Sequence, residues 1–161
     1  RRMSHLRVFP DTGVLLAMAV FPTDREGGRT LAGEVLDLVE AGAFDLLLSR
    51  VVLDELEEVM DRDFPAFRYR ALQALRPHLR GLSRRPTPRE IAAALPHVTD
   101  IEDVVIFAAA AAAKPDIVLS NDFRAFHTPQ AKQYWEKHGF VVESLYGLLC
   151  VFGRRERKQE G

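Results

Sequence analysis

A chain of 161 residues with 47% hydrophobic residues is long and apolar enough to form one domain with its own core. The formal net charge of −1 excludes a globally basic nucleic-acid binder, although a local basic patch remains compatible with it. The single cysteine, Cys150, cannot form an internal disulfide, and no segment reaches the roughly 18 unbroken apolar residues of a membrane helix. We therefore expect a cytoplasmic protein without a membrane span.

Apolar runs alternate with segments of helical periodicity along the chain. Strands are expected at residues 7–10, 44–49, 117–120 and 140–142. Helices are expected at residues 14–21, 31–41, 51–62, 89–95, 99–113, 129–138 and 146–152. This alternation predicts an α/β domain with a parallel sheet over residues 1–153, followed by a charged, disordered tail over residues 154–161.

Four acidic residues follow the predicted strands at comparable places. Asp11 comes directly after the first strand, and Asp122 comes directly after the strand at 117–120. Asp103 begins the alanine-rich helix, and Glu55 lies early in the helix after the second strand. If both strands are central, their carboxyl ends share one crevice, and the carboxylates converge there. Such a cluster repels itself unless a hard divalent cation such as Mg²⁺ or Mn²⁺ binds the oxygens.

Each carboxylate also has a local explanation that needs no site. A β-turn accounts for Asp11, and a helix start accounts for Asp103 and Asp122. Glu55 lies in a helix rich in acids, which is typical of a solvated face. These interpretations remain open for each residue taken singly, but the combination of four at one end of a sheet favours a site.

The segments VFPDTGVLL (residues 8–16), LSRVVLDEL (48–56), DIEDVV (100–105) and VLSND (118–122) resemble the motifs of the PIN-domain family of metal-dependent ribonucleases. The resemblance extends over about residues 6–145. It implies a three-layer α-β-α sandwich with a central parallel sheet of five strands in the order 3-2-1-4-5. It also implies an acidic pocket that holds Mg²⁺ or Mn²⁺ and hydrolyses RNA.

Carried over by position, the resemblance makes Asp11, Glu55, Asp103 and Asp122 the metal-binding and catalytic quartet. Thr12, Ser120 and Asn121 would support these ligands from behind. Gly13 departs from the family, which usually has asparagine there. Many relatives are toxins held in check by an antitoxin, while others process RNA without one, and relatives often form dimers. An antitoxin and a second copy are therefore candidate partners, and the sequence alone does not decide between a toxin and an RNA-processing enzyme. The apolar face of the C-terminal helix is a candidate dimer surface, or else it packs on its own sheet.

Several other interpretations compete with this one. The triplet Asp11-Thr12-Gly13 also occurs in aspartic proteases, whose all-β fold does not agree with the helical periodicity. A receiver domain needs an acidic pair after its first strand, and Asp11 has no acidic neighbour. A catalytically silent PIN fold that binds RNA or protein remains the alternative function.

Residues 62–89 carry eight arginines and one acid, Asp63. Their apolar residues recur at helical spacing, which predicts an amphipathic helix with arginines outside. This face is either simply solvated or binds an RNA backbone through Arg68, Arg70 and Arg76.

Overall fold

The structure, a computed structural model, describes residues 6–160, and it describes side chains through residue 152. Its strands are β1 (Leu6–Pro10), β2 (Phe44–Leu46), β3 (Ile117–Leu119) and β4 (Val141–Glu143). Its α-helices are α1 (Thr12–Val20), α2 (Leu31–Glu40), α3 (Arg50–Asp63), α4 (Arg68–Leu75), α5 (Pro88–Ala94), α6 (Val104–Ala113), α7 (Phe123–Phe126), α8 (Pro129–Lys137) and α9 (Leu145–Glu160). Short 3₁₀ turns occur at Pro65–Phe67, Arg76–His78, Leu95–His97 and Ile101–Asp103.

The strands form one parallel sheet in the order β2-β1-β3-β4, flanked by helices. The chain builds outward from β1 to β2 and then crosses to the other side of β1 to add β3 and β4. The strand order therefore reverses between β1 and β3. In open parallel sheets this reversal leaves a crevice at the carboxyl ends of the two strands, where ligands bind.

The expectation of five strands is wrong for residues 6–160, because the sheet there has four. The outer position beside β2 is occupied by a single parallel bridge between Ser49 and Ser83. Gly81 turns the chain just before this bridge, with φ +76°. Pro86 follows soon after and has no N–H to donate to a ladder. The N–H of Ser83 donates to the carbonyl of Leu48, at 2.8 Å, and the N–H of Arg50 donates to the carbonyl of Ser83, at 3.2 Å, so the pairing of this described segment with the sheet is limited to Ser83.

Helix α6 packs closely because alanines line most of its surface. Ala108, Ala109 and Ala110 are fully buried, as is Phe107 beside them. Small side chains on all sides let this helix approach α3 and α5 closely. Asp103 directly precedes this buried helix.

The C-terminal helix α9 packs on α2 and β4, with Leu145 and Leu148 buried. Phe152 lies 5.2 Å, centroid to centroid, from Phe44 of β2. The apolar face of this helix thus contacts the core of its own chain. The helix extends through residue 160, across the stretch where the sequence predicts a charged tail, and residue 161 lies outside the described residues. None of the helices in residues 6–160 has both the length and the apolar character needed to cross a membrane.

Candidate metal centre

Asp11 is fixed by three contacts at the end of β1. Its backbone N–H donates to the carbonyl of Leu119 in β3, at 2.9 Å. Its Oδ1 accepts from the N–H of Val14, at 2.8 Å, and so caps α1. Its Oδ2 accepts from the hydroxyl of Ser120, which is fully buried. A strand register, a helix start and a neighbouring loop therefore hold this carboxylate in one orientation.

Burial raises the pKa of Asp11 to about 6. The hydrogen bonds from Ser120 and Val14 oppose this shift, and the charges of Asp122 and Glu55 add to it. The side chain is only 7% exposed, so little water compensates its charge. Because no lysine or arginine of residues 6–152 pairs with this buried carboxylate, a positive ion would bind favourably beside it.

Asp122 faces the same place from the end of β3. Its Oδ1 accepts from the N–H of Ala125, at 3.2 Å, and caps the short helix α7. Its own N–H donates to Ser120 Oγ, at 3.0 Å. The Ser120 hydroxyl thus connects the backbone of Asp122 to the carboxylate of Asp11. Next to it, Asn121 Oδ1 accepts from the N–H of Leu145, at 2.9 Å, and ties this loop to the start of α9.

Thr12 and Glu55 form another side of the site. The Glu55 side chain reaches solvent, yet partial burial still raises the pKa of its carboxyl. The nearby Thr12 hydroxyl acts in the opposite direction and lowers that pKa. Thr12 Oγ1 is itself buried, and within the described residues Glu55 is the polar side chain on which it acts, without a well-aligned hydrogen bond between them. A hydroxyl without a well-aligned partner keeps donor and acceptor capacity for a further polar group.

Asp103 completes the set from the start of α6. Its pKa is raised to about 6, first by burial and then by the charges of Asp100, Asp122, Glu55 and Asp11. Three of those four acids belong to the same predicted quartet. The carboxylates that the sequence places on separate segments therefore act on one another electrostatically.

These residues line one open cleft of about 340 Å³. Its walls are Asp11, Thr12, Gly13, Val14, Glu55, Asp103, Ile106, Asn121, Asp122 and Phe126. Within residues 6–152, none of the four carboxylates forms an ion pair with a lysine or arginine. The cleft is therefore acidic, and its charge is not balanced by the side chains described.

The donor set fits a hard divalent cation. It offers carboxylate oxygens and the Thr12 hydroxyl, which are the ligand types that Mg²⁺ and Mn²⁺ prefer. Among the side chains described, no three acidic, histidine or cysteine groups are gathered at the spacing of a preassembled metal site. The four carboxylates line a common cleft from different walls and do not meet at a single point.

Sequence reasoning missed the apolar part of the cleft. Val14, Ile106 and Phe126 line it together with the acids. Ile106 lies three residues after Asp103, and Phe126 lies four residues after Asp122, so helical spacing could have indicated both. The predicted supporting residues Thr12 and Asn121 line the cleft, and Ser120 lies behind it against Asp11.

The arginines proposed for RNA binding lie outside the cleft walls. The Arg68 guanidinium pairs with the carboxylate of Asp61 and lies 3.9 Å from that of Glu57. Arg70 lies over the ring of Phe67, 5.0 Å from its centroid. Arg76 is exposed and forms no ion pair with the residues that the structure describes. The arginines are therefore not equivalent, since one is largely neutralised by the acids of α3.

The fold and the cleft define a doubly wound α/β domain with an acidic site where the strand order reverses. The sequence of residues 7–124 matches the family model of the PIN domain. The chain belongs to the PIN-domain family. No curated protein sequence matches it significantly.

The fold is also similar to a solved structure. A chain in the crystal structure of VapBC2 from Rickettsia felis bound to a DNA fragment from their promoter superposes with a TM-score of 0.56. The match covers 86% of this chain and 98% of that chain, at 13% sequence identity. At this identity the match supports the α/β architecture and carries no residue assignments.

Proposed function

We propose that this protein is a metal-dependent endoribonuclease whose quartet is Asp11, Glu55, Asp103 and Asp122. PIN domains are generally nucleases, and this chain belongs to that family. The observation that carries the proposal is that these four carboxylates line one cleft and that, within residues 6–152, no lysine or arginine pairs with them. Mg²⁺ or Mn²⁺ would supply that cation, lower the pKa of a bound water and polarise a phosphate oxygen.

The residues have distinct parts in this proposal. Asp11 is the most firmly held carboxylate, because Val14 and Ser120 orient its two oxygens. Each oxygen keeps a further lone pair for a ligand. Asp103, Asp122 and Glu55 would bind the cation from the other sides of the cleft. The Thr12 hydroxyl would form a hydrogen bond with a water bound to the cation. The apolar residues of the cleft would limit the entry of bulk water and so strengthen these interactions.

We predict that Asp11→Asn abolishes metal-dependent RNA cleavage and preserves the fold. Asparagine caps a helix as well as aspartate does, so Val14 keeps its hydrogen bond. Ser120 Oγ can accept from the new amide, because it has lone pairs as well as a proton. We expect kcat/KM for a single-stranded RNA in Mg²⁺ or Mn²⁺ to fall by at least about a hundredfold.

The matched control is Asp37→Asn, which removes an exposed carboxylate of α2 that pairs with Arg29 at 2.7 Å. This variant should cleave RNA like the wild type. Wild-type activity in Asp11→Asn would contradict the assignment of Asp11. A wild-type protein that cleaves no RNA with either metal would contradict the enzymatic function and favour the catalytically silent binding module. Gly13, where the family usually has asparagine, is the feature of the sequence that favours this alternative.

The partners follow from family membership as further proposals. Many PIN domains are toxins inhibited by an antitoxin, and we propose such a partner for this chain. A homodimer is a second proposal. The buried face of α9 contributes little to it, because its large side chains are used within the chain.

A further inference from the structure

Two large apolar side chains are exposed on the segments that carry Asp103 and Asp122. Ile101, two residues before Asp103, is 70% exposed, and Phe123, directly after Asp122, is 59% exposed. The Thr99 hydroxyl donates to the carbonyl of Arg124, at 3.4 Å, and joins the two segments. Large apolar side chains are thus exposed on both segments that carry cleft carboxylates, and Phe123 directly follows Asp122, which lines the cleft.

The ring of Phe123 is held in place from behind. It stacks on the imidazole of His127, with the ring centroids 4.4 Å apart and the planes 30° apart. Nε2 of His127 lies 2.8 Å from the carbonyl oxygen of Ser120 and donates to it. Ser120 is the residue whose hydroxyl holds the carboxylate of Asp11. The exposed ring is therefore braced against the loop that builds the cleft.

We propose that Phe123 is a stacking surface for a nucleobase of single-stranded RNA, next to the nucleotide whose phosphate enters the cleft. This proposal rests on the proposed ribonuclease function. An aromatic ring that is braced on one side and exposed elsewhere stacks on any base, since every base has a π face. Arg124, the next residue, is exposed and forms no ion pair with residues 6–152, which leaves a cation beside the ring for the RNA backbone.

The stacking can be tested by binding, separately from cleavage. The probes are a fluorescein-labelled RNA decamer of mixed sequence and the same decamer with abasic nucleotides throughout, both in Ca²⁺. Phe123→Ala should weaken binding of the normal decamer about tenfold and leave binding of the abasic decamer unchanged. Phe123→Trp should restore the affinity for the normal decamer, which a merely structural role of the side chain would not produce.

The matched control is Val141→Ala, which shortens a side chain that is 55% exposed at the opposite end of the sheet. It should bind both decamers like the wild type. If Phe123→Ala loses affinity for both decamers equally, or for neither, the stacking role is overturned. A wild type that prefers bases but cleaves no RNA in Mg²⁺ or Mn²⁺ contradicts the nuclease function and leaves the stacking intact. A wild type that binds both decamers equally overturns the stacking and favours a protein partner for this ring.

Discussion

At the scale of single residues, the local and the functional interpretations of the acids are compatible. Asp11 and Asp122 each cap a helix, which is the local role that turn and cap chemistry predicts. Both also line the acidic cleft. A helix N-terminus favours a negative charge, so the same carboxylate can begin a helix and face a ligand. Sequence patterns alone could not distinguish one role from both, because the cleft depends on contacts between distant segments.

We predict that Gly13→Ala stabilises the protein and leaves cleavage within about twofold of the wild type. Residue 13 lies in the first turn of α1, and a Cβ there would meet only Asp11 Oδ1, at 3.8 Å. Alanine in a helix gains about 0.5–1 kcal/mol over glycine. Asp11 is already oriented by Val14 and Ser120, so a side chain at position 13 is not required to hold it. Urea denaturation and RNA cleavage measure the two effects.

The control for this prediction is Gly27→Ala. Gly27 has φ +86°, a backbone conformation that alanine adopts only with strain. Alanine should therefore destabilise the protein at residue 27 and stabilise it at residue 13. Lower stability or lost cleavage in Gly13→Ala would show that the cleft requires a residue without a side chain at position 13.

At the scale of elements, the sequence predicts the helix starts more accurately than the edges of the sheet. Thr30 and Thr128 cap α2 and α8, accepting from Gly33 and Ala131 as their types and positions predict. These signals are local and are complete within four residues. The expected fifth strand, by contrast, is reduced to one bridge between Ser49 and Ser83, and such pairing depends on contacts between segments that are distant in the chain.

The arginine-rich segment gives a prediction at this scale. Replacing Arg68, Arg70 and Arg76 together by glutamate should flatten the salt dependence of RNA binding. The single variant Arg76→Glu should have a larger effect on this salt dependence than Arg68→Glu, because Arg68 is already paired with Asp61. Each lost phosphate contact lowers the slope of log K against log salt by about 0.7 for single-stranded RNA. Fluorescence anisotropy between 50 and about 300 mM salt measures this slope.

Arg25→Glu is the matched control for charge. Arg25 is exposed in the loop after α1, at the end of that helix away from Asp11. Its replacement changes the net charge by the same amount as each single arginine variant and should leave the slope unchanged. An unchanged slope in the triple variant would show that the arginine face is only a solvated surface.

At the scale of the whole molecule, the charges are separated although the net charge is only −1. Several surface arginines pair with acids, as Arg84 does with Glu90 and Arg85 does with Asp54. The cleft keeps its carboxylates without such partners. Composition cannot reveal this separation, because it depends on which acids the fold brings together. The separation gives the metal-free protein a defined dependence of stability on pH.

We predict that the stability of metal-free wild type falls, relative to Asp11→Asn, as pH rises from about 4 to about 6. The pKa of Asp11 is raised from 3.8 to about 6 on folding, so the folded state holds a proton that the unfolded state releases in this window. The destabilisation is absent below the unfolded pKa and complete above the folded pKa, where it amounts to about 3 kcal/mol for this buried group. Asp103 shifts in the same direction, but its partial exposure reduces its share.

Urea unfolding in EDTA across pH 4–8 measures the difference between the two proteins. Asp11→Asn should match the wild type near pH 4 and exceed it at pH 8. Mg²⁺ or Mn²⁺ at pH 8 should then stabilise the wild type and not Asp11→Asn, because a ligand of the folded state adds its binding free energy to the stability. Asp37→Asn should follow the wild type throughout. A difference in the free energy of unfolding between wild type and Asp11→Asn that is the same at every pH would mean that the Asp11 carboxyl keeps its ordinary pKa. The cleft would then lack the uncompensated charge that a cation is proposed to neutralise.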